Sequence, residues 1–216
     1  MNILVCSGGS GGHINPAISF VKNNLEHKIV YLGTNTKIEH NNIPLLNVPY
    51  YLLNNKGLKK GVFNKIVFIY YLLVNCFKVF KIIKKEKIDK IITFGGYSSS
   101  SVFLANLILK KDIYMHEQNA IVGRNNKLMM KFTNKVFTSF INTLGIKKKY
   151  LNKVIYTGNL TYFNKKIKHD NFNILIMTGS LGSSSVTNTL IPLLDYYSNI
   201  EMIGGANNKI AHKLII

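Results

Sequence analysis

Carboxylates are scarce in this sequence. Nine Asp and Glu stand against 28 Lys and Arg, a formal net charge of +19 over 216 residues. Arginine is scarcer still, with Arg124 the only one. Proteins that read nucleic-acid phosphates and bases rely on the planar arginine fork, so an almost pure lysine excess argues against a dedicated nucleic-acid surface. Abundant lysine, asparagine and isoleucine point instead to a general coding bias. An anionic membrane surface still suits such a charge. Cysteine is nearly absent: Cys6 and Cys76 form neither a C-x-x-C pair nor a zinc-ligand spacing, which fits a reduced, cytosolic setting. The chain also lacks an initial basic segment followed by a long apolar one, so its first apolar residues are expected to form a buried strand rather than a signal peptide.

Apolar residues make up 47% of the chain, enough for a real core. Short apolar runs alternate with longer helix-like segments. Strands are expected at Ile3–Cys6, Lys28–Leu32, Lys90–Phe94, Asp112–His116, Lys135–Ser139 and Val154–Thr157. Helices are expected at Asn15–Glu26, Val62–Lys85, Ser99–Lys110, Gly123–Phe132 and Thr143–Leu151. Such alternation predicts an α/β fold, a parallel sheet wrapped by helices, with its site beyond the carboxyl ends of the strands. Residues 1–159 would form this first domain and 160–171 a polar, basic linker. The grammar restarts at "NILIMTGSLGSSSVTNTLIPLL", so 172–216 read as the start of a second domain, left incomplete at Ile216.

Four segments carry chemistry. In "CSGGSGGHINPA" (Cys6–Ala17) the glycines would bring backbone N–H groups to a phosphate at a helix N-terminus. Position 14 is Ile and no Gly-Lys-Ser/Thr follows, which excludes the dinucleotide fingerprint and the P-loop. A tight turn without a ligand fits the same residues. His13 stands where a bound polar group would lie, and the helix N-terminus favours a neutral imidazole able to accept a proton. "HEQNA" (His116–Ala120) places Glu117 on the same face of the sheet, either at the site or paired with a lysine. "FGGYSSSS" (Phe94–Ser101) and "TGSLGSSS" (Thr178–Ser185) repeat the strand-loop-helix design, and glycine loops from two domains facing one cleft would hold a ligand between them. The segment from Val62 has an unbroken apolar run of only Ile66–Val74, too short to span a bilayer. Its aromatics and its lysines (Lys59, Lys60, Lys65, Lys78, Lys81, Lys84, Lys85) suit a helix lying on a membrane surface, and a core helix fits as well.

The ordered landmarks "GGSGGHINPA", "NNKGLKKG", "FGGY", "HEQNAIVGRNNKL", "TGN" and "GSLGSSSVTNTL" resemble the MurG family over essentially the whole chain. The resemblance implies a GT-B fold, two Rossmann-like domains facing across a cleft. It also implies inverting transfer of N-acetylglucosamine from UDP-N-acetylglucosamine to the C4 hydroxyl of a muramoyl-peptide sugar on undecaprenyl diphosphate, at the cytoplasmic face of a bacterial membrane. By motif, Ser10, Gly11 and Gly12 would contact the donor and face the acceptor's diphosphate. His13 would be the general base, and Glu117 would order or assist the acceptor site. Asn119 would help hold the donor sugar nucleotide, and Ser180 would meet its diphosphate. Backbone N–H groups would carry the charge of the departing UDP, with neither a metal nor a cofactor.

Three departures stand out. Tyr162 occupies the place of the family's usual arginine, "GGYSSSS" lacks the second Gly-Pro, and the segments that would bind uridine and sugar do not appear before Ile216. A fragment, a decayed copy or half of an enzyme divided between two chains would each account for the last, and the chain alone is then expected to show no transfer. The rivals are an acceptor-side membrane subunit that recruits a separate donor-domain chain and, more weakly, a lysine-driven nucleic-acid binder. Salt-sensitive DNA binding with no response to a polyprenyl diphosphate sugar would single out the latter.

Overall fold

The computed structural model describes residues 1–55, 61–161, 174–177, 183–194 and 200–203. The chain divides into two compact units, Met1–Tyr162 and Phe163–Ile216. In the first, strands β1 (Asn2–Cys6), β2 (Lys28–Thr34), β3 (Tyr50–Leu53), β4 (Lys90–Thr93), β5 (Asp112–Glu117), β6 (Lys135–Thr138) and β7 (Val154–Tyr156) form one sheet. Their order is β3-β2-β1-β4-β5-β6-β7 and every pairing is parallel. The connections include α1 (Gly11–Lys22), α2 (Lys37–Asn42), α3 (Val62–Lys85), α4 (Tyr97–Leu109) and α5 (Arg124–Met129).

Successive side chains on a strand point to opposite faces, and helices cover both faces of a parallel sheet. Leu4, Cys6, Val30, Leu32, Ile91, Ile113, Met115 and Val136 therefore face one way, packed with Val79, Ile82 and Ile83 of α3 and Val102 and Phe103 of α4. Their neighbours Ile3, Val5, Ile29, Tyr31 and Ile92 face the other way, with Ala17 and Val21 of α1. In the second unit, β8 (Ile174–Met177) pairs in parallel with β9 (Ile200–Ile203), and α6 (Ser184–Leu194) lies between them in sequence.

Three expectations need correction. Helix α1 starts at Gly11 rather than Asn15, because Ser10 already takes the extended conformation of an N-cap (φ −108°, ψ 162°) and Gly11 and Gly12 follow in helix. Strand β3 was not expected; it is four residues long and lies at the sheet's edge beside β2. The helix expected at Thr143–Leu151 is absent. Gly145 has φ +86°, which ends any helix there, and Leu144 instead bridges Ile121, leaving a 3-10 turn at Lys148–Lys153.

Helix α3 matches its expected span and resolves the core-or-surface alternative by serving as both. Val79, Ile82 and Ile83 in its C-terminal half are core. In its N-terminal half Phe63 is 77% exposed and Tyr70 62%, with Val62, Ile66, Ile69 and Leu73 also exposed. The helix is long and apolar enough, by length and composition, to cross a membrane. Its C-terminal half cannot do so while packed on the sheet. Ile83→Ala should therefore cost about 2–5 kcal/mol in a urea unfolding experiment, whereas Phe63→Ser should change stability by less than about 0.5 kcal/mol. Equal losses at the two positions would contradict the division.

Candidate active site at the switch point of the sheet

Strands β1 and β4 are neighbours, yet the chain runs outward from β1 to β3 and from β4 to β7. Connections at such a point leave in opposite directions and open a crevice at the carboxyl ends of the strands. The loops after β1, β4 and β5 meet here. Gly96 has φ +87°, and a Cβ built on it would lie 2.2 Å from the Gly8 carbonyl oxygen, so the first two loops touch through bare backbone. Ser98 Oγ donates to Ser7 O at 2.7 Å and Asn125 Nδ2 donates to Gly96 O at 2.9 Å, tying α4 and α5 into the same cluster. Gly9 N donates to Thr34 Oγ1 at 2.9 Å. Thr34 is held in turn by the buried Glu39, which accepts from its N (2.9 Å) and its Oγ1 (3.1 Å).

Helices α1 and α4 thus present their N-termini to one crevice. Neither has a side-chain cap, and neither has an acidic residue in its first turn. The positive end of each dipole is left for an outside anion. Ser10 and Gly12 are exposed there and Gly11 is buried. His13, half-buried in the first turn of α1, has Nδ1 3.1 Å from Gln118 Oε1. A cleft of about 410 Å³ opens beside Gly9, lined by Thr34, Asn35, Thr36, Asn54, Asn55, Tyr71 and Tyr97, none of them charged at neutral pH.

Glu117 is fully buried and, among the described residues, forms no ion pair with a lysine. Its Oε1 accepts from Asn119 N (3.0 Å) and Asn119 Nδ2 (2.9 Å), and its Oε2 from Gly123 N (2.9 Å) and Asn126 Nδ2 (2.9 Å). Two donors on each oxygen fill the acceptor capacity of a carboxylate. The loop from Gln118 to Gly123 is wound around this one charge, and Asn119 is exposed, its amide oxygen without a partner among the described residues. The structure therefore gathers Ser10, Gly11, Gly12, His13, Glu117 and Asn119 at one end of the sheet. Ser180, Tyr162, Lys59 and Lys60, with much of the linker and of the second glycine loop, lie outside the described residues. Among the described residues no three His, Cys, Asp or Glu side chains group so as to hold a metal ion.

Gln118 and Asn126 were not singled out from the sequence. Gln118 lies inside the "HEQN" motif, and its position between two residues of interest was the one available signal. Behind it, burial holds the His116 imidazole below its usual 6.5, against the opposing push of the nearby Gly158 backbone and the Glu117 charge. A histidine whose folded pKa is depressed stabilises the fold above its unfolded pKa and loses that contribution as pH falls. Stability should accordingly decline as pH drops below 6.5 and level off once the folded imidazole is charged. Urea titrations from pH 8 to about pH 5 should show a shallower decline in His116→Gln than in the parent; parallel curves would remove His116 as a cause.

The glycosyltransferase family 28 N-terminal domain matches residues 3–138. The UDP-N-acetylglucosamine--N-acetylmuramyl-(pentapeptide) pyrophosphoryl-undecaprenol N-acetylglucosamine transferase of Vesicomyosocius okutanii is 34% identical over 203 residues, 92% of this chain and 58% of that protein. The protein of the same name from Francisella philomiragia is 33% identical over 229 residues, 98% of this chain and 60% of that protein. The crystal structure of Acinetobacter baumannii MurG matches with a TM-score of 0.72 at 23% identity, over 99% of this chain and 64% of that one. That of UDP-GlcNAc 2-epimerase from Neisseria meningitidis, bound to UDP-GlcNAc, matches with a TM-score of 0.61 at 14% identity, over 100% of this chain and 70% of that one. These likenesses bear out the α/β, GT-B class of fold. The chain spans 58–60% of the length of these two curated relatives.

Proposed function

Because the chain belongs to glycosyltransferase family 28 through its N-terminal domain, we propose that it supplies the acceptor side of an inverting N-acetylglucosaminyltransferase of peptidoglycan synthesis. The donor is UDP-N-acetylglucosamine, and the acceptor is a muramoyl-peptide carried on undecaprenyl diphosphate. The observation that carries this reading is the meeting of His13 with two uncapped helix N-termini at the switch point.

The acceptor's diphosphate sits against Ser10, Gly11 and Gly12, where free N–H groups and the dipole of α1 favour phosphate. Its C4 hydroxyl attacks the anomeric carbon of the donor from the face opposite UDP, and His13 takes the hydroxyl proton. The negative charge that develops on UDP is met by backbone N–H groups already in place. Asn119 holds the donor through its free amide oxygen. Glu117, with its four acceptor positions filled, orders this loop instead of exchanging a proton. Residues 1–159 serve as the acceptor domain, 160–171 as the link, and 172–216 belong to the donor-binding domain. Ser180 there meets the donor diphosphate. The remaining donor contacts come from that domain, in the same chain or in a separate one.

His13→Ala, in an enzyme with a complete donor domain, should lower transfer of labelled N-acetylglucosamine by about 10²–10⁴-fold, the usual worth of a general base. Binding of the lipid-linked acceptor should survive. A variant within threefold of the parent would exclude His13 as the base.

The same reading places the chain peripherally on the cytoplasmic face of the membrane. The exposed apolar half of α3 enters the headgroup boundary, and Lys65, Lys78 and Lys81 lie on the same helix, exposed. Phe63, Ile66 and Tyr70 changed together to Ser should leave the protein folded and abolish sedimentation with phosphatidylglycerol vesicles. High salt should weaken the binding of the parent. Undiminished vesicle binding by the triple variant would remove α3 from the membrane contact.

A further inference from the structure

A histidine that accepts a proton through Nε2 must carry its resting proton on Nδ1, and something has to keep it there. In serine hydrolases a carboxylate does this. Here the group at Nδ1 is a neutral amide, Gln118, 3.1 Å away through Oε1. The orientation of that amide is settled by its other end. Gln118 Nε2 lies 3.1 Å from the His116 carbonyl oxygen, which can only accept, so the NH₂ must point that way and Oε1 must face His13. An amide oxygen also can only accept, so His13 Nδ1 is the donor. In the neutral ring this leaves the lone pair on Nε2.

The same NH₂ group lies 3.1 Å from His116 Nδ1. That nitrogen must then accept, which needs a neutral His116 protonated on Nε2. Burial keeps His116 on the neutral side. The hydrogen bonds run in one direction, from His13 Nδ1–H to Gln118 Oε1 and from Gln118 Nε2–H to His116 Nδ1 and His116 O. Reversing the amide would set its oxygen against the His116 carbonyl. Gly95 closes the other side, since a Cβ built there would lie 3.1 Å from the His13 ring.

We propose that Gln118 is a positioning residue that holds His13 in the Nδ1–H tautomer and so leaves Nε2 as the basic atom, with His116 fixing the direction of the amide. Its use in catalysis rests on the reading of His13 as general base, but the tautomer itself does not. A neutral partner also differs from a carboxylate in what it does during turnover. It fixes the tautomer by a hydrogen bond alone, without placing a negative charge beside the ring.

Histidine ring ¹⁵N spectra of the 216-residue chain at neutral pH provide the test, with His13 assigned by the signal lost in His13→Gln. His13 should show a protonated Nδ1 and an unprotonated Nε2, and His116 the reverse. In Gln118→Leu the His13 proton should move to Nε2, the form that free histidine prefers in water. In Gln118→Glu, which retains an acceptor, it should remain on Nδ1. In an enzyme with a complete donor domain, Gln118→Leu should lower kcat about 10–100-fold with little change in KM, as expected when a base has the wrong tautomer. A protonated Nε2 on His13 in the parent overturns the proposal whatever the transfer rates are. So does an Nδ1–H signal unchanged in a folded Gln118→Leu. If the Leu variant does not fold, the parent and Gln118→Glu spectra decide, and a His13 ring protonated on Nε2 but not on Nδ1 in either counts against it. Correct tautomers with an unaffected His13→Ala rate would instead leave the proposal standing and fault the base assignment.

Discussion

The absence of a side chain at Gly96 governs the geometry of the site. With the Gly8 carbonyl 2.2 Å from where a Cβ would stand, the loops after β1 and β4 can close on one another only as backbone. That contact sets the N-termini of α1 and α4 side by side. It also brings Ser98 within 2.7 Å of Ser7 O and places the His13 ring over Gly95. A larger residue would have to open the switch point and separate the two helix ends. A crevice faced by two helix N-termini needs no arginine to attract the anion proposed for it, which is consistent with a chain that has only one.

Charge is used sparingly inside this frame, and among the described residues the two buried carboxylates, Glu39 and Glu117, are satisfied by neutral donors. Glu117 holds the loop that carries Gln118 and Asn119, and Glu39 holds Thr34, which holds Gly9. A buried carboxylate left unpaired is costly, while one that accepts several N–H bonds is stable and fixes the geometry around it. Two of the nine acidic residues are thus committed to shaping loops on either side of the crevice. In this protein the scarcity of acid marks structural anchors as well as candidate chemistry.

Much of the first unit was legible because its strands are continuous apolar runs separated by glycine loops. The spans of α3 and of the strands from β1 to β7, apart from β3, follow from that pattern within a residue or two. Strand β3 escaped notice because "YYLL" is four residues at an edge, too short to show a period. The start of α1 was misplaced because glycines read as loop, although Ser10 supplies an N-cap conformation that lets Gly11 and Gly12 begin the helix. Gly145 was overlooked in the opposite sense. The residues of "GGSGGH" and "HEQN" fall together as their motifs imply. Gln118 was missed because its importance lies in which way an amide faces, and that depends on a carbonyl two residues earlier. Spacing carries no such information.

One link joins the apolar helix to the polar crevice. Asn75 is buried on α3 and donates through Nδ2 to Asn54 O (2.9 Å) and Asn55 Oδ1 (2.9 Å). Asn54, Asn55 and Tyr71, the last also from α3, line the cleft beside Gly9. A core helix gains nothing from a buried amide unless its hydrogen bonds are met, and here they are met by the wall of the cleft. The helix whose first half is exposed and apolar therefore also shapes the space next to the glycine loop after β1. For the proposed substrate this coupling has a direct consequence. A lipid-linked sugar diphosphate presents its chain, its phosphates and its sugar within a short distance of one another. The proposed membrane contact and one wall of the cleft share helix α3, through Tyr71 and the Asn75 hydrogen bonds, so docking on the bilayer would bring the cleft close to the headgroup.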